Sequence, residues 1–451
     1  MSPQARKQLW DLGLGSIKEL ETDQGILASG RDEAYGCIFG RDSLITSLKL
    51  LEAFEQTGSK YFLELTRKIL LNLAALQGKE VNIESGEEPG KMIHEFRPTG
   101  HERLTQAQEN RWYLYPDNIM RNYDSVDSTP LFLMAAHEQY RLSRDEVFMK
   151  DVLPSVRAAL DWLLNYADTN GDGFIDYEFK TQRKFGGLKS QSWMDSTESV
   201  FFENYDERPS YPIAPVEAQG YAYAALRAWA DYFAASDRLL SQTLTDRAGV
   251  LKEKFNDAFV LHGRRDTISL AFAIDGKHRP LTSARSSMGH VLWTVHWESA
   301  SDLSSERRAP LAGGGTERIA GATPDSILDE KYISSIVARL LQPDLYVRSA
   351  GIRTLSSRSK RFDPNSYHNG SIWPHDTTIV SHGLENFGYT AEAKQVRNSI
   401  LKAYAHFETP IELFTYAHHK FGQYLSPQGQ GACKQQAWSA AALLTMLGRE
   451  E

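Results

Sequence analysis

Apolar residues recur at three- and four-residue spacing along most of this chain. Between positions 61 and 75 they fall at Phe62, Leu65, Ile69, Leu70 and Leu73, which is one face of a helix. The same spacing predicts helices over 7–20, 43–51, 130–140, 152–166, 218–233, 239–259, 336–341, 373–384, 391–407 and 435–447. Strand-like alternation is scarce and short, as in 174–179. The segments between helices are long and carry Gly, Pro, Asn and aromatic residues: 77–104, 168–215, 342–371 and 408–434. Long ordered loops tend to carry function. The stretch 298–325, with Gly313, Gly314 and Gly315, reads as the most mobile part. Those glycines are not followed by Lys and do not fit a phosphate cradle. About a dozen helices alternating with long loops, with no short repeat and no shift in composition, suits one closed helical barrel with its loops gathered at one end.

Composition narrows the class. Of 451 residues, 41% are hydrophobic and 24% charged, which is ordinary for a globular chain and excludes disordered and collagen-like classes. Lys plus Arg is 50 and Asp plus Glu is 58, a net charge of −8, so nucleic acid is not an expected partner. The two cysteines, Cys37 and Cys433, are too few for a disulfide framework or a structural zinc and fit a reducing compartment. The N-terminus lacks the apolar core of a signal peptide, and no apolar run approaches the roughly 18 residues of a membrane span. A cytoplasmic chain without a membrane partner is the expectation. Aromatic residues make up 11%, and their flat faces suit sugar rings, nucleobases or a large core.

Metalloprotease, Walker and serine-hydrolase motifs are missing, so chemistry is sought in loops dense in carboxylates, aromatics and amides. Splitting a glycosidic bond needs two carboxyl groups, one protonated and one ionised, facing each other across the sugar. Three loops supply such groups. Asp195 follows Trp193 in a loop of small residues, where an indole would shield the carboxyl and raise its pKa; a helix cap is the competing reading. Glu412 sits in the apolar run Ile411 to Phe414, where its charge needs a partner; a helix-edge Glu is the alternative. The stretch 367–376 packs His368, Asn369, Trp373, His375 and Asp376 into one loop-to-helix junction, readable also as a structural turn.

With these stretches the chain resembles the amylo-α-1,6-glucosidase module of glycogen debranching enzymes and, more broadly, the glucoamylase-like clan of glycoside hydrolases. The matching segments run in order from Phe39-Gly40-Arg41-Asp42-Ser43 through 88–95, 125–132, 193–195, 215–221, 367–376 and 411–414 to Gln436-Ala437-Trp438-Ser439. The resemblance implies an all-α fold, an (α/α)6 barrel over 1–451 as a single catalytic domain. It implies Asp195 as general acid and Glu412 as general base of an inverting hydrolase that releases glucose from α-glucosides. Inversion requires the two carboxyls to stand roughly 6.5–9.5 Å apart. Arg41 and Asp42 match the pair that binds the terminal glucose, and Glu95, Asp127, Trp193, Glu217, Gln219, His368, Trp373 and His375 fall in pocket-lining motifs. The partner is then an oligosaccharide or small α-glucoside, and no cofactor is needed.

Three departures bear on substrate. Met194 stands where many relatives carry Lys, and 285–290 follows the family pattern only in part. The extra domains of many relatives are not seen, which leaves linkage and chain length open. A clan member acting on glucosylglycerate or mannosylglycerate is therefore an alternative, as is an inactive sugar-binding barrel. A carboxylate-bearing substrate would need a basic residue near the outer subsite, which the sequence alone does not place. Finally, Asp168, Asn170 and Asp172 match the first half of a calcium loop, but its twelfth position is Phe179 rather than Glu. Calcium and a plain turn both remain open readings there.

Overall fold

A computed structural model describes residues 1–263, 267–296 and 324–448. Twelve barrel helices among them alternate between an outer and an inner ring. The outer helices are α1 (Pro3–Leu20), α3 (Lys60–Ala75), α5 (Glu146–Asn165), α7 (Arg238–Phe259), α9 (Glu330–Leu340) and α11 (Thr390–Phe407). The inner helices are α2 (Gly40–Thr57), α4 (Ser128–Ser143), α6 (Val216–Phe233), α8 (Ser287–Trp293), α10 (Pro374–Asn386) and α12 (Ala437–Gly448). Each inner helix packs on the next, and α12 packs back on α2, which closes the ring. Each outer helix packs on an inner neighbour, and α1 lies against α12. This is the (α/α)6 barrel.

The two rings differ in how the sequence makes them. Helix α7 buries Leu244, Ala248, Leu251, Phe255 and Phe259, a single stripe at helical spacing, and leaves its other faces wet. Helices α8 and α12 are buried on every side, as a central helix must be. Three outer helices, α1, α5 and α7, start on capping side chains, and α3, α9 and α11 do not: Ser2 accepts from Ala5 N–H, Asp145 from Val147 and Phe148, and Asp237 from Leu240. The N-caps of α2, α4, α6, α8 and α10 make no such bond. The inner helices instead begin with acidic residues: Asp42, Asp127, Glu217 and Asp376 lie at or within the first turns of α2, α4, α6 and α10. Uncapped N–H groups and the positive helix ends favour negative charge there.

The predicted helices are present, with α8 added, a short helix within 285–293 where no helix is predicted. The 174–179 stretch makes no strand, only a bridge from Tyr177 to Ile213. The long loops instead carry two- and three-stranded sheets, such as Ile38–Phe39, Glu95–Arg97 and Met120–Asn122 in antiparallel register. Within that sheet Gly40 is required: a Cβ there would stand 1.9 Å from the Ile93 carbonyl oxygen. The close approach lets Gly40 N–H donate to His94 O and aims Arg41 and Asp42 inward. The glycine-rich 298–325 stretch lies, except for its last two residues, outside the described residues. No helix of the described residues is long and apolar enough to cross a membrane.

Candidate active site

The loops before α2, α10 and α12 meet over the inner-helix starts and enclose a cavity of about 190 Å³. Of the residues predicted for the site, Arg41, Asp42, Glu95, Trp193, Asp195, His368, Trp373 and Glu412 all line it. The acid and base candidates, 217 positions apart in the chain, therefore face one space.

Exposure orders the wall. Arg41, Asp42, Gln436 and Trp438 are buried at the deep end, while Tyr35, Leu104, Leu188 and Tyr367 are partly exposed and Arg103 is exposed at the mouth. The floor is an aromatic stack. Trp193 lies flat on His290 at 5.6 Å and edge-on to Trp373, His368 and His375. His375 lies flat on Trp438 at 3.8 Å. Burial and nearby cations push His368 and His375 well below the ordinary histidine range, so these rings are neutral.

Asp195 accepts from Arg41 Nη1 at 3.1 Å, while Arg41 Nε donates to fully buried Asp127 at 2.7 Å. Asp127 thus holds Arg41 from behind and is not itself on the cavity wall. The Asp195 side chain keeps 27% exposure, on the side that faces the cavity. Burial pushes its carboxyl up to about 6 against the pull of Arg41. Glu412 is only 2% exposed, and burial pushes it up to about 7. Its Oε2 accepts from Cys433 N–H at 2.8 Å and its Oε1 from the Tyr367 hydroxyl. Asp42 accepts from Gln436 Nε2 at 3.0 Å. Burial, with the charges of Asp195 and Glu412 adding to it, pushes Asp42 up to about 8 against the pull of Arg41.

Besides Asp127, the predicted residues Glu217, Gln219 and His375 lie away from the cavity wall. Gln219 spends its amide on the backbone of Ile175 and Pro215: Oε1 accepts from Ile175 N–H, and Nε2 donates to Ile175 O and Pro215 O at 2.7 and 2.9 Å. It fastens the 168–215 loop to α6. Glu217 is wholly buried in the first turn of α6, and burial with the neighbouring Asp127 charge raises its carboxyl to about 7. His375 backs Trp438 rather than facing the space. Met194, the departure noted above, accepts through its sulfur from the buried Arg285 Nη1 at 3.4 Å. Arg285 also donates to His368 O and Asn369 Oδ1 and to Ser199 O, tying two cavity loops together.

Sequence reasoning missed Tyr35, Tyr367, His94, Arg97, Arg103, Trp112, Gln436 and Trp438. Gln436 and Trp438 stand in a quoted motif and Tyr367 opens another, so a signal existed for them. Arg97 and Arg103 had none, because only the folded 94–104 segment turns them to the cavity. Arg97 Nη2 and Arg103 Nη2 both donate to Ala34 O, at 2.9 and 2.6 Å. Arg97 is paired with Glu95; among the described residues Arg103 has no acidic partner.

The aspartate-rich turn lies elsewhere. Asp168 accepts from the N–H groups of Gly171 and Gly173, and Asp172 from Phe174. Carboxylate oxygens of Asp168, Asp172 and Asp176 come within 4.8 Å of one another, while Asn170 donates its amide to Asp172. Lys254 and Arg247 donate to the carbonyls of Asp172 and Gly173. The group is outside the cavity.

The closed barrel, the cavity at its helix starts and the paired carboxyls define a class, and the comparisons with known proteins agree with it. Residues 278–439 match the mannosylglycerate hydrolase MGH1-like glycoside hydrolase domain. The fold is that of the GH63 mannosylglycerate hydrolase from Thermus thermophilus. The structure of that protein in complex with Tris and D-glycerate superposes with a TM-score of 0.60 at 13% identity, over 97% of this chain and 99% of that one. Its complex with glucose gives the same TM-score of 0.60, at 13% identity and over 97% and 99% of the two chains. A structure described as a wild-type glycosidase matches with a TM-score of 0.57 at 13% identity, covering 99% and 98%. No curated protein sequence matches. The chain is a glycoside hydrolase of the (α/α)6-barrel kind. The comparisons support this barrel class rather than the debranching module in particular.

Proposed function

We propose that this chain is an inverting hydrolase of a short α-glycoside whose small aglycone carries a carboxylate, of the glucosylglycerate or mannosylglycerate type. The observation that carries the reading is Arg103 at the cavity mouth, anchored on Ala34 O beside Arg97 and lacking an acidic partner among the described residues. An exposed guanidinium held over a neutral-sugar pocket suits a carboxylate. The domain match and the fold of the Thermus protein support the same choice.

In this reading Arg41 and Asp42 hold the sugar at the deep end, against Trp438 and Trp373. Asp195 gives its proton to the glycosidic oxygen as the bond breaks. A water attacks the anomeric carbon from the opposite face and gives its proton to Glu412. In the free protein burial raises both carboxyls, the acid to about 6 and the base to about 7. A bound glycoside removes cavity water from the open edge of Asp195, which raises the acid further.

The test is a hydrolysis screen of glucosylglycerate, mannosylglycerate, isomaltose, panose and maltose, with Arg103→Ala in parallel. The glycerate glycosides should be cleaved fastest. Arg103→Ala should raise KM for them by about 10-fold or more, the scale of one lost charge-assisted hydrogen bond, and leave neutral substrates unchanged. Preference for isomaltose or panose would favour the debranching-type reading, and no cleavage of anything the sugar-binding one.

A further inference from the structure

The base side of the cavity contains more than Glu412 and a backbone amide. Tyr367 donates its hydroxyl proton to Glu412 Oε1. The same hydroxyl lies 3.2 Å from the Tyr35 hydroxyl and is turned toward it. We propose that Tyr367 is a positioning residue of the general base, a phenol that fixes the Glu412 carboxylate and keeps it ionised. The proposal rests on Glu412 being the base.

Several observations support it. Tyr367 is gripped on all sides: its ring meets His368 at 4.6 Å, Trp373 at 4.9 Å and Tyr424 at 5.3 Å. Its carbonyl accepts from Trp373 Nε1 at 3.0 Å. The phenol therefore has little freedom to leave the carboxylate. Tyr35 belongs to the 28–37 loop, which Glu33 pins to the base loop by accepting from Lys434 and Gln435 N–H groups. That same base loop offers Cys433 N–H to Glu412. Three separate chain segments thus meet at one carboxylate.

The electrostatic need is plain. Burial favours a neutral Glu412, and the charge of Glu33 pushes the same way. Asp42, whose own carboxyl feels Glu412, adds no cation, and Tyr424 and Cys433 add none. The groups that oppose burial are the Tyr367 hydroxyl and Cys433. Donors to a carboxylate stabilise its charged form, so removing one raises the pH at which the base becomes available.

The test is a carboxyl-carbon NMR titration of glutamate-labelled full-length protein, with Glu412 assigned by its loss in Glu412→Gln. In Tyr367→Phe, which keeps the packed ring, Glu412 should titrate at a higher pH than in the wild type. An unmoved midpoint in Tyr367→Phe would overturn the proposal. Rates supply the second readout: Tyr367→Phe should lose about 10-fold more activity near pH 5 than near pH 9, where the base is ionised in both proteins. A uniform loss at both pH values would mark the tyrosine as merely structural. The titration needs no substrate. The expected shift without hydrolysis of any glycoside would therefore count against the proposed function and not against the placement of Tyr367 on Glu412.

Discussion

The two cavity walls that carry the proposed acid and the proposed base hold similar carboxyls by unlike means. Asp195 faces a full charge, the Arg41 guanidinium, which is itself locked by Asp127. Glu412 faces neutral donors, a phenol and a backbone amide, and is the more buried of the two. Both are raised by burial, yet their futures on substrate binding differ. Asp195 has an open edge that a glycoside covers. Glu412 has no such edge to lose, so its state is set by its donors. The lesson is that burial alone does not assign acid and base; the partners do.

The strongest way to break this comparison is to remove each carboxyl. Asp195→Asn and Glu412→Gln should each lower kcat by roughly 10²–10⁴-fold with the fold intact by circular dichroism. A glycosyl fluoride, whose leaving group needs no proton, should recover much of the rate in Asp195→Asn and little in Glu412→Gln. Recovery in both, or in neither, would erase the distinction between the walls. Next in size is the lock behind the acid. Arg41→Met strands the fully buried Asp127 carboxylate and should cost about 3–5 kcal/mol in urea unfolding. A loss near zero would show that Asp127 does not depend on Arg41. Smallest is the fastening of the loop to α6. Gln219→Leu should cost about 1–3 kcal/mol through the Ile175 and Pro215 backbone groups left unpaired, with KM unchanged. A raised KM with stability intact would return Gln219 to the pocket.

Much of the fold was legible because it rests on local spacing. The stripe of Leu244, Ala248, Leu251, Phe255 and Phe259 predicts an outer helix without any tertiary information. Helix α8 was not legible: seven residues buried on every side carry no stripe. At the site, Arg41, Asp42 and Trp373 beside helix starts were readable, as was Asp195 in its loop, since each sits in a compact motif. Gln219 shows the limit. Its place in a motif is real, but its amide serves the backbone, and only the folded loop reveals that. Arg103 shows the converse, a surface arginine whose meaning depends on Ala34, 69 positions away. Tyr367 on Glu412 likewise joins two segments 45 positions apart, which only the fold brings together.

The most direct measurement of the account is proton NMR of the first sugar formed from glucosylglycerate or mannosylglycerate. The account predicts cleavage, with the β-anomer of the hexose appearing before mutarotation mixes the two forms. Appearance of the α-anomer first would contradict a mechanism in which Glu412 directs water to the opposite face from Asp195.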